Sequence, residues 1–136
     1  MKDVLFLVGS QSDVETVDPA LKLLAEKGMS HELKVLSAHR NLEELVAYLK
    51  AEEPNFRLVI AAAGLSAALP GVVASLVSLP VIGIPLVAGS LSGIDALLSI
   101  LQLPRGVPVA TMGIGRQGVL NAVLLAERML KMPRGA

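Results

Sequence analysis

Cysteine and tryptophan are both absent from this 136-residue chain. Without cysteine there is no disulfide scaffold, no thiolate nucleophile and no thiolate-based metal site, and a reducing compartment is compatible with the composition. Aromatic residues are limited to Phe6, Tyr48 and Phe56, too few to support the stacking a flavin electron carrier needs. Net charge is missing as well. Lys+Arg 12 balances Asp+Glu 12, so no broad field draws in nucleic acid or an anionic membrane. No block of like charge occurs. Met1-Lys2-Asp3 runs straight into a short apolar stretch, Val4 to Gly9, that is too brief for a secretory leader. A cytoplasmic protein is expected.

What is abundant is small aliphatic side chain. Hydrophobic residues make up 53%, and no Asp, Glu, Lys or Arg occurs between Leu58 and Ile94. A domain of this size buries only about two-thirds of the surface its unfolded chain exposes. The surplus belongs either in a membrane or against further copies of the chain. A spanning helix needs about 20 uninterrupted apolar residues. Pro70, Pro80 and Pro85, with Gly64, Gly71, Gly83 and Gly89, cut the stretch into shorter pieces. A homo-oligomer, with no membrane partner, is the expectation.

Two textures alternate along the chain. Val4–Val8, Leu33–Leu36, Leu58–Ala62, Val81–Ile84 and Val107–Met112 are short apolar runs rich in β-branched residues, as in parallel strands buried on both faces. Between them lie helical patterns. Val14 to Lys27 ends at Gly28, a C-cap candidate. Asn41 reads as an N-cap before a helix reaching Glu53, which Pro54 stops. Pro70–Leu79, Ile94–Leu103 and Gly118–Lys131 are the other three. Strict β/α alternation implies one parallel sheet with right-handed crossovers. Five strands indicate a flavodoxin-like three-layer α/β/α sandwich of order 2-1-3-4-5, with residues 1–136 as a single domain. Ligands of such sheets bind beyond the carboxyl ends of the strands, near the switch between strands one and three.

The loops at those ends hold the candidate chemistry. After strand one, Gly9-Ser10-Gln11-Ser12-Asp13 opens a helix. Its amides and hydroxyls suit an anion or a ribose, or else Ser12 or Asp13 merely caps the helix. After strand two, Ser37-Ala38-His39-Arg40 gathers a hydroxyl, an imidazole and a guanidinium. Arginine can fork onto a phosphate, and histidine can move protons near neutral pH; the alternative is a solvated helix start. His31, the other histidine, precedes strand two and reads as a surface residue. After strand three, Ala63 to Gly71 brings small residues and Pro70, which serve either close ligand approach or tight helix packing. Ser90-Leu91-Ser92-Gly93 reads as a flexible loop before Asp95, a possible cap of the fourth helix. Arg105 sits on a turn, and Asn121 inside the last helix reads as structural. The two distant histidines argue against zinc, and no GxSxG elbow or phosphate-binding GxxxxGK loop is present.

Taken in order, Gly9-Ser-x-Ser-Asp13, Ser37-Ala-His-Arg40, Ala63-Gly64 through Leu69-Pro-Gly71, Leu91-Ser-Gly-x-Asp95, Gln102-x-Pro-Arg-Gly106 and Asn121-Ala resemble the PurE family of purine biosynthesis, the 5-(carboxyamino)imidazole ribonucleotide mutases. The resemblance spans nearly the whole chain. It implies an octamer, no metal or organic cofactor, and a phosphorylated aminoimidazole ribonucleotide as ligand, with carbon dioxide or bicarbonate as the carboxyl source. It implies that Ser10, Ser12, Asp13, Ser37 and Arg40 hold phosphate and ribose. His39 is then the general acid/base. Gly9, Ala38 and the segment Gly64, Leu65, Ser66, Ala67, Ala68 and Leu69 complete the substrate-binding set. The family reaction frees carbon dioxide from the exocyclic nitrogen, keeps it in a closed pocket and adds it to the adjacent ring carbon.

One loop departs from the pattern. Where bacterial mutases read Gly-Gly-Ala-Ala-His-Leu-Pro-Gly, this chain reads Gly64-Leu-Ser-Ala-Ala-Leu-Pro-Gly71, so Ala68 replaces a histidine. Three accounts stand open: a mutase that works without it, a carboxylase using free carbon dioxide, or a divergent protein acting on or binding another ligand. Many members also carry a tail beyond the last helix, whereas this sequence ends soon after it.

Overall fold

A computed structural model describes residues 1–133. Five parallel strands, β1 (Lys2–Val8), β2 (His31–Val35), β3 (Phe56–Gly64), β4 (Val81–Leu86) and β5 (Ala110–Thr111), form one sheet in the order β2-β1-β3-β4-β5. The helices are α1 (Asp13–Glu26), α2 (Leu42–Glu52), α3 (Leu69–Leu76), α4 (Ile94–Leu101) and α5 (Arg116–Lys131). This is the α/β topology expected from the alternating texture.

The period of two along each strand sends alternate side chains to opposite faces. Val4, Phe6 and Val8 of β1, with Leu58, Ile60 and Ala62 of β3, pack under α1 and α5 through Val17, Leu24, Val119 and Val123. Leu5 and Leu7, with Val59 and Ala61, pack under α2, α3 and α4 through Leu45, Leu49, Val73 and Ile100. Two cores therefore sandwich one sheet, and the fully apolar runs are explained by burial on both sides. Gly83 must stay bare because a Cβ there would meet Ile100 at 2.6 Å and Val109 at 2.9 Å.

The elements differ from expectation mainly at their edges. The fifth strand, expected over Val107–Met112, shrinks to Ala110–Thr111. Pro108 lacks the N–H a longer ladder would need, and only Ile82–Ala110 and Gly83–Thr111 pair. The third helix ends at Leu76 rather than Leu79. Val77 turns extended, and the Ser78 amide donates to Glu53 Oε1 at 2.6 Å, pinning the chain away from the helix. The fourth helix ends at Leu101. Gly28 adopts φ +68 just beyond α1, as the C-cap reading requires. The chain after α2 continues into a short 3-10 turn containing Pro54.

Strand register decides where the loops meet. Val8 lies level with Val35 on one side and with Ala62 on the other, and Ala62 lies level with Ile84. The carboxyl ends of β1 to β4 thus finish in nearly one plane, and the segments that follow them rise together. Among the described residues no helix is long and apolar enough to cross a membrane.

Candidate functional site

The loops above that plane enclose a cleft of about 480 Å³. Its walls include Gly9, Ser10, Ser12 and Asp13 after β1, Ser37 to Arg40 after β2, and Gly64, Leu65, Ser66, Ala68 and Leu69 after β3. The sequence-derived set therefore converges on one space, with one exception. Ala67 is only 1% exposed and belongs to the core beneath α3, so it supports the loop from below rather than lining the cleft. Two further wall residues are Ala63 and Ala88. Ala88 follows β4, and its signal is topological: β4 neighbours β3, so the loop after it must reach the same space.

The β1–α1 loop is built by its own backbone. Asp13 N donates to the Ser10 carbonyl at 3.0 Å, and Val14 N to the Gln11 carbonyl at 3.2 Å. These bonds do for the helix start what a side-chain cap would do, and α1 has no side-chain cap hydrogen bond. Ser12 therefore occupies the N-cap position without capping through its side chain, and Asp13 is already inside the helix. Ser10 Oγ and Ser12 Oγ instead lie 2.9 Å apart, forming a hydroxyl pair at the cleft. Burial raises the Asp13 carboxyl above its ordinary range, and a hydrogen bond with the Ser10 backbone partly opposes this. A half-buried carboxyl without a cationic neighbour is suited to accepting a ribose hydroxyl.

The β2–α2 turn is clasped at both ends. The Arg40 amide donates to Ser37 Oγ at 3.1 Å. The Asn41 amide donates to the Ser37 carbonyl at 3.0 Å, and the Ser37 amide reaches Asn41 Oδ1 at 3.4 Å. Asn41 thus braces the turn rather than capping α2 with its side chain. Ala38 is buried and anchors the turn, while His39 and Arg40 stay exposed at the cleft. The Ser37 oxygen accepts from Arg40, which leaves its proton free to donate. His31 lies at the opposite end of the sheet, opening β2, with Nδ1 3.0 Å from the Met29 carbonyl. His39 is accordingly the imidazole of the cleft.

The β3–α3 loop works by shape. A Cβ on Gly64 would fall 2.5 Å from that of Ala88, so glycine is needed where two loops cross. Leu65 has φ +56, in the left-handed region, which costs a leucine about 1 kcal/mol or more relative to glycine. The Ala68 amide bonds the Ser66 carbonyl at 2.8 Å and closes the turn into α3.

The remaining sequence candidates lie elsewhere. Gly93, with φ +87, caps α4, so Asp95 is not the cap. It sits one residue inside the helix, with Oδ1 buried and unpaired. Arg105 lines a separate hollow of about 310 Å³ on the α4–β5 connection. Asn121 is exposed on α5 beside Leu124 and Arg128. Among the described residues no group of three or more His, Cys, Asp or Glu is placed to hold a metal ion.

The open parallel sheet of this order gathers hydroxyls, a carboxyl, an imidazole and a guanidinium at its switch point, the place where flavodoxin-like sheets bind their ligands. The comparisons with known proteins specify the class. The AIR carboxylase family model matches residues 3–135, and the chain belongs to that family. It is 47% identical over 131 residues to the N5-carboxyaminoimidazole ribonucleotide mutase of Brucella melitensis, covering 96% of this chain and 81% of that protein. It is 47% identical over 126 residues to the chloroplastic phosphoribosylaminoimidazole carboxylase of Vigna aconitifolia, covering 92% of this chain and 22% of that larger protein. The crystal structure of Treponema denticola PurE superposes with a TM-score of 0.84 at 32% identity, covering 93% of this chain and 78% of that one.

Proposed function

We propose that this chain, read as one catalytic domain, places a carboxylate on the ring carbon of aminoimidazole ribonucleotide, giving 4-carboxyaminoimidazole ribonucleotide in purine biosynthesis. The observation that carries the reading is the convergence of Ser10, Ser12, Asp13, Ser37, His39 and Arg40 on one cleft whose remaining wall is uncharged. Phosphate and ribose take the charged part. Arg40 and the serines Ser10, Ser12 and Ser37 donate to phosphate and ribose oxygens, and Asp13 accepts from a ribose hydroxyl. The imidazole base then lies over Gly64 and Ala68.

His39 acts on the proton that the reaction must move. If the carboxyl arrives on the exocyclic nitrogen, the C–N bond breaks, the nitrogen lone pair takes a proton from His39, and carbon dioxide is freed. The ring carbon then bonds to the carbon dioxide carbon. His39 removes the proton from that ring carbon, and the ring regains its aromatic electrons. If free carbon dioxide is the donor, only the second half runs and one proton is released. A dry cleft favours either route, because water would carry the carbon dioxide away.

A homo-oligomer, an octamer in this reading, is supported by the outer face of α4. Ile94, Leu98 and Leu101 recur at helical spacing and remain 55%, 51% and 56% exposed. A monomer mass by light scattering at micromolar concentration would refute it. The cytoplasm is the compartment that suits the substrates.

The experiment is turnover by purified protein in two arms. One contains aminoimidazole ribonucleotide with bicarbonate and dissolved carbon dioxide. The other contains the carboxyamino ribonucleotide alone. Turnover in the second arm only defines a mutase that tolerates Ala68, and in the first only, a carboxylase. Inactivity in both, with ribonucleotide still bound, refutes the carboxyl chemistry.

A further inference from the structure

Proline is the least favourable residue a helix interior can hold, because it cannot donate the backbone bond and its ring crowds the carbonyl four residues back. Pro19 lies in the interior of α1, so the bond from position 19 to the Glu15 carbonyl is missing. Asp18, the residue before it, is also biased away from helical geometry. Core packing does not offset this. The buried residues of α1 are Val17, Ala20 and Leu24, while Pro19 is only half-buried.

The break separates the cleft end of the helix from the rest. Burial in α1 begins at Val17; in the turn before it, Asp13 and Val14 are half-buried and Glu15 and Thr16 are exposed. The loop ahead of that turn bonds to itself. The Asp13 and Val14 amides donate to the Ser10 and Gln11 carbonyls, and the Ser12 amide donates to Ser10 Oγ at 3.3 Å. Among the described residues, no hydrogen bond or ion pair joins residues 10 to 16 to any other strand, helix or loop. A Cβ on Gly9 would meet nothing within 4 Å, so the root of the loop is open as well. Ser10 to Thr16 is therefore one internally bonded unit, set between a loose root and a broken ladder.

We infer that Pro19 is a positioning residue that lets this unit pivot about Val17 and close onto the bound ligand. The inference rests on the ribonucleotide reading of the cleft and adds how phosphate and ribose are gripped. Closure carries the Ser10 and Ser12 hydroxyls and the Asp13 carboxyl inward together, because the bonds inside the loop travel with them. An N–H at position 19 would tie Glu15 to the rest of the helix and hold the unit in line with it, so closure would have to break a bond. Pro19 removes that opposition in advance. His39 stands on the separate turn after β2, and its proton transfer does not depend on the pivot.

The test begins with amide hydrogen exchange on wild type, free and with aminoimidazole ribonucleotide. The amides of Val17 and Asp18 bond back into the unit, and their exchange slows at least about fivefold when the nucleotide is bound. Two variants follow: Pro19→Ala restores the missing donor on a strong helix former, and Pro19→Gly restores it on a weak one. Pro19→Ala raises Tm and protects the same amides already in the free protein. Its KM for the nucleotide rises at least about fivefold while kcat stays within about twofold of wild type. Pro19→Gly keeps the nucleotide KM within about twofold of wild type. An unchanged KM in Pro19→Ala overturns the inference, and so does an equal rise in both variants, since packing of the proline ring would then be the cause. Wild-type exchange that the bound nucleotide leaves unaltered overturns it without recourse to any variant. A wild type that binds no aminoimidazole ribonucleotide overturns the ribonucleotide reading and the inference with it.

Discussion

Over β2 and β1 the cleft wall carries Ser10, Ser12, Asp13, Ser37, His39 and Arg40, whereas over β3 and β4 it carries Ala63, Gly64, Leu65, Ala68 and Ala88 with the single hydroxyl of Ser66. The two halves are also built differently. The first is shaped by hydrogen bonds inside its own turns, Asp13 to Ser10 and Asn41 to Ser37, and its His39 and Arg40 side chains project free of the core. The second is shaped by packing, with Gly64 against Ala88 and Ala67 sunk beneath the loop. Chemistry and stability are therefore separable in the first half and entangled in the second.

The sharpest challenge to that division is His39→Asn. Turnover is expected to fall by about 10²–10⁴-fold, with ribonucleotide affinity within about threefold of wild type and Tm unchanged, because the side chain is exposed and the turn is held by Ser37 and Asn41. Steady-state kinetics and calorimetry on the same sample decide it; a large loss of Tm would show that His39 is structural. Arg40→Ala should weaken nucleotide binding by roughly 10- to 100-fold through loss of a charge-assisted contact, again with little change in Tm. Isothermal titration showing unaltered affinity would remove Arg40 from the phosphate site.

The other half should respond in the opposite way. Gly64→Ala places a methyl 2.5 Å from the Ala88 Cβ, and overpacking of this kind costs about 1–3 kcal/mol. Denaturant melts should register that loss, and a variant as stable as wild type would show that the crossing of the two loops is loose. The smallest effect is at Asp13. Burial raises its carboxyl, so the folded state holds the proton more tightly than the unfolded chain. Stability from this group is then greatest in acid and is lost as pH rises through the ordinary carboxylate range and above it. Asp13→Asn should flatten that slope and raise Tm slightly at pH 7 while weakening ribose binding. Melting curves across pH that keep their slope in the variant would assign the dependence to another group.

The sequence was readable where one physical cause dominated. Val4–Val8 and Leu58–Ala62 are apolar at every position because both faces of the central strands are covered, and no other burial pattern accounts for them as short runs. Val107, Val109 and Met112 have the character of strand residues, but Pro108 and the edge position decide against most of the ladder, so the pattern overextends the fifth strand. It overextends the third helix because the pin on Ser78 comes from Glu53, 25 residues away in the chain. In the cleft, residues of the β1 and β2 loops were legible from their chemistry. Ala88 was not, because an alanine signals nothing until the strand order places it beside Gly64. Ala67 and Asp95 show the converse error: adjacency to motif residues suggests roles that the structure denies, Ala67 being sunk in the core just before α3 and Asp95 lying inside α4 beyond the Gly93 cap.

The level ends of β1 to β4 have a consequence for how such a protein diversifies. Each loop is anchored at its root by ladder pairs such as Val8–Ala62 and Ala62–Ile84, so a change in one loop does not tilt its neighbours. A one-residue slip of a strand would instead exchange its two faces and destroy both cores. The platform is therefore rigid against drift; the loops after β1 and β2 vary on it independently, whereas those after β3 and β4 are tied through the Gly64–Ala88 contact. The third loop, Gly64-Leu-Ser-Ala-Ala, carries no ionisable side chain, while the first two present the serines, the histidine and the arginine on the same base.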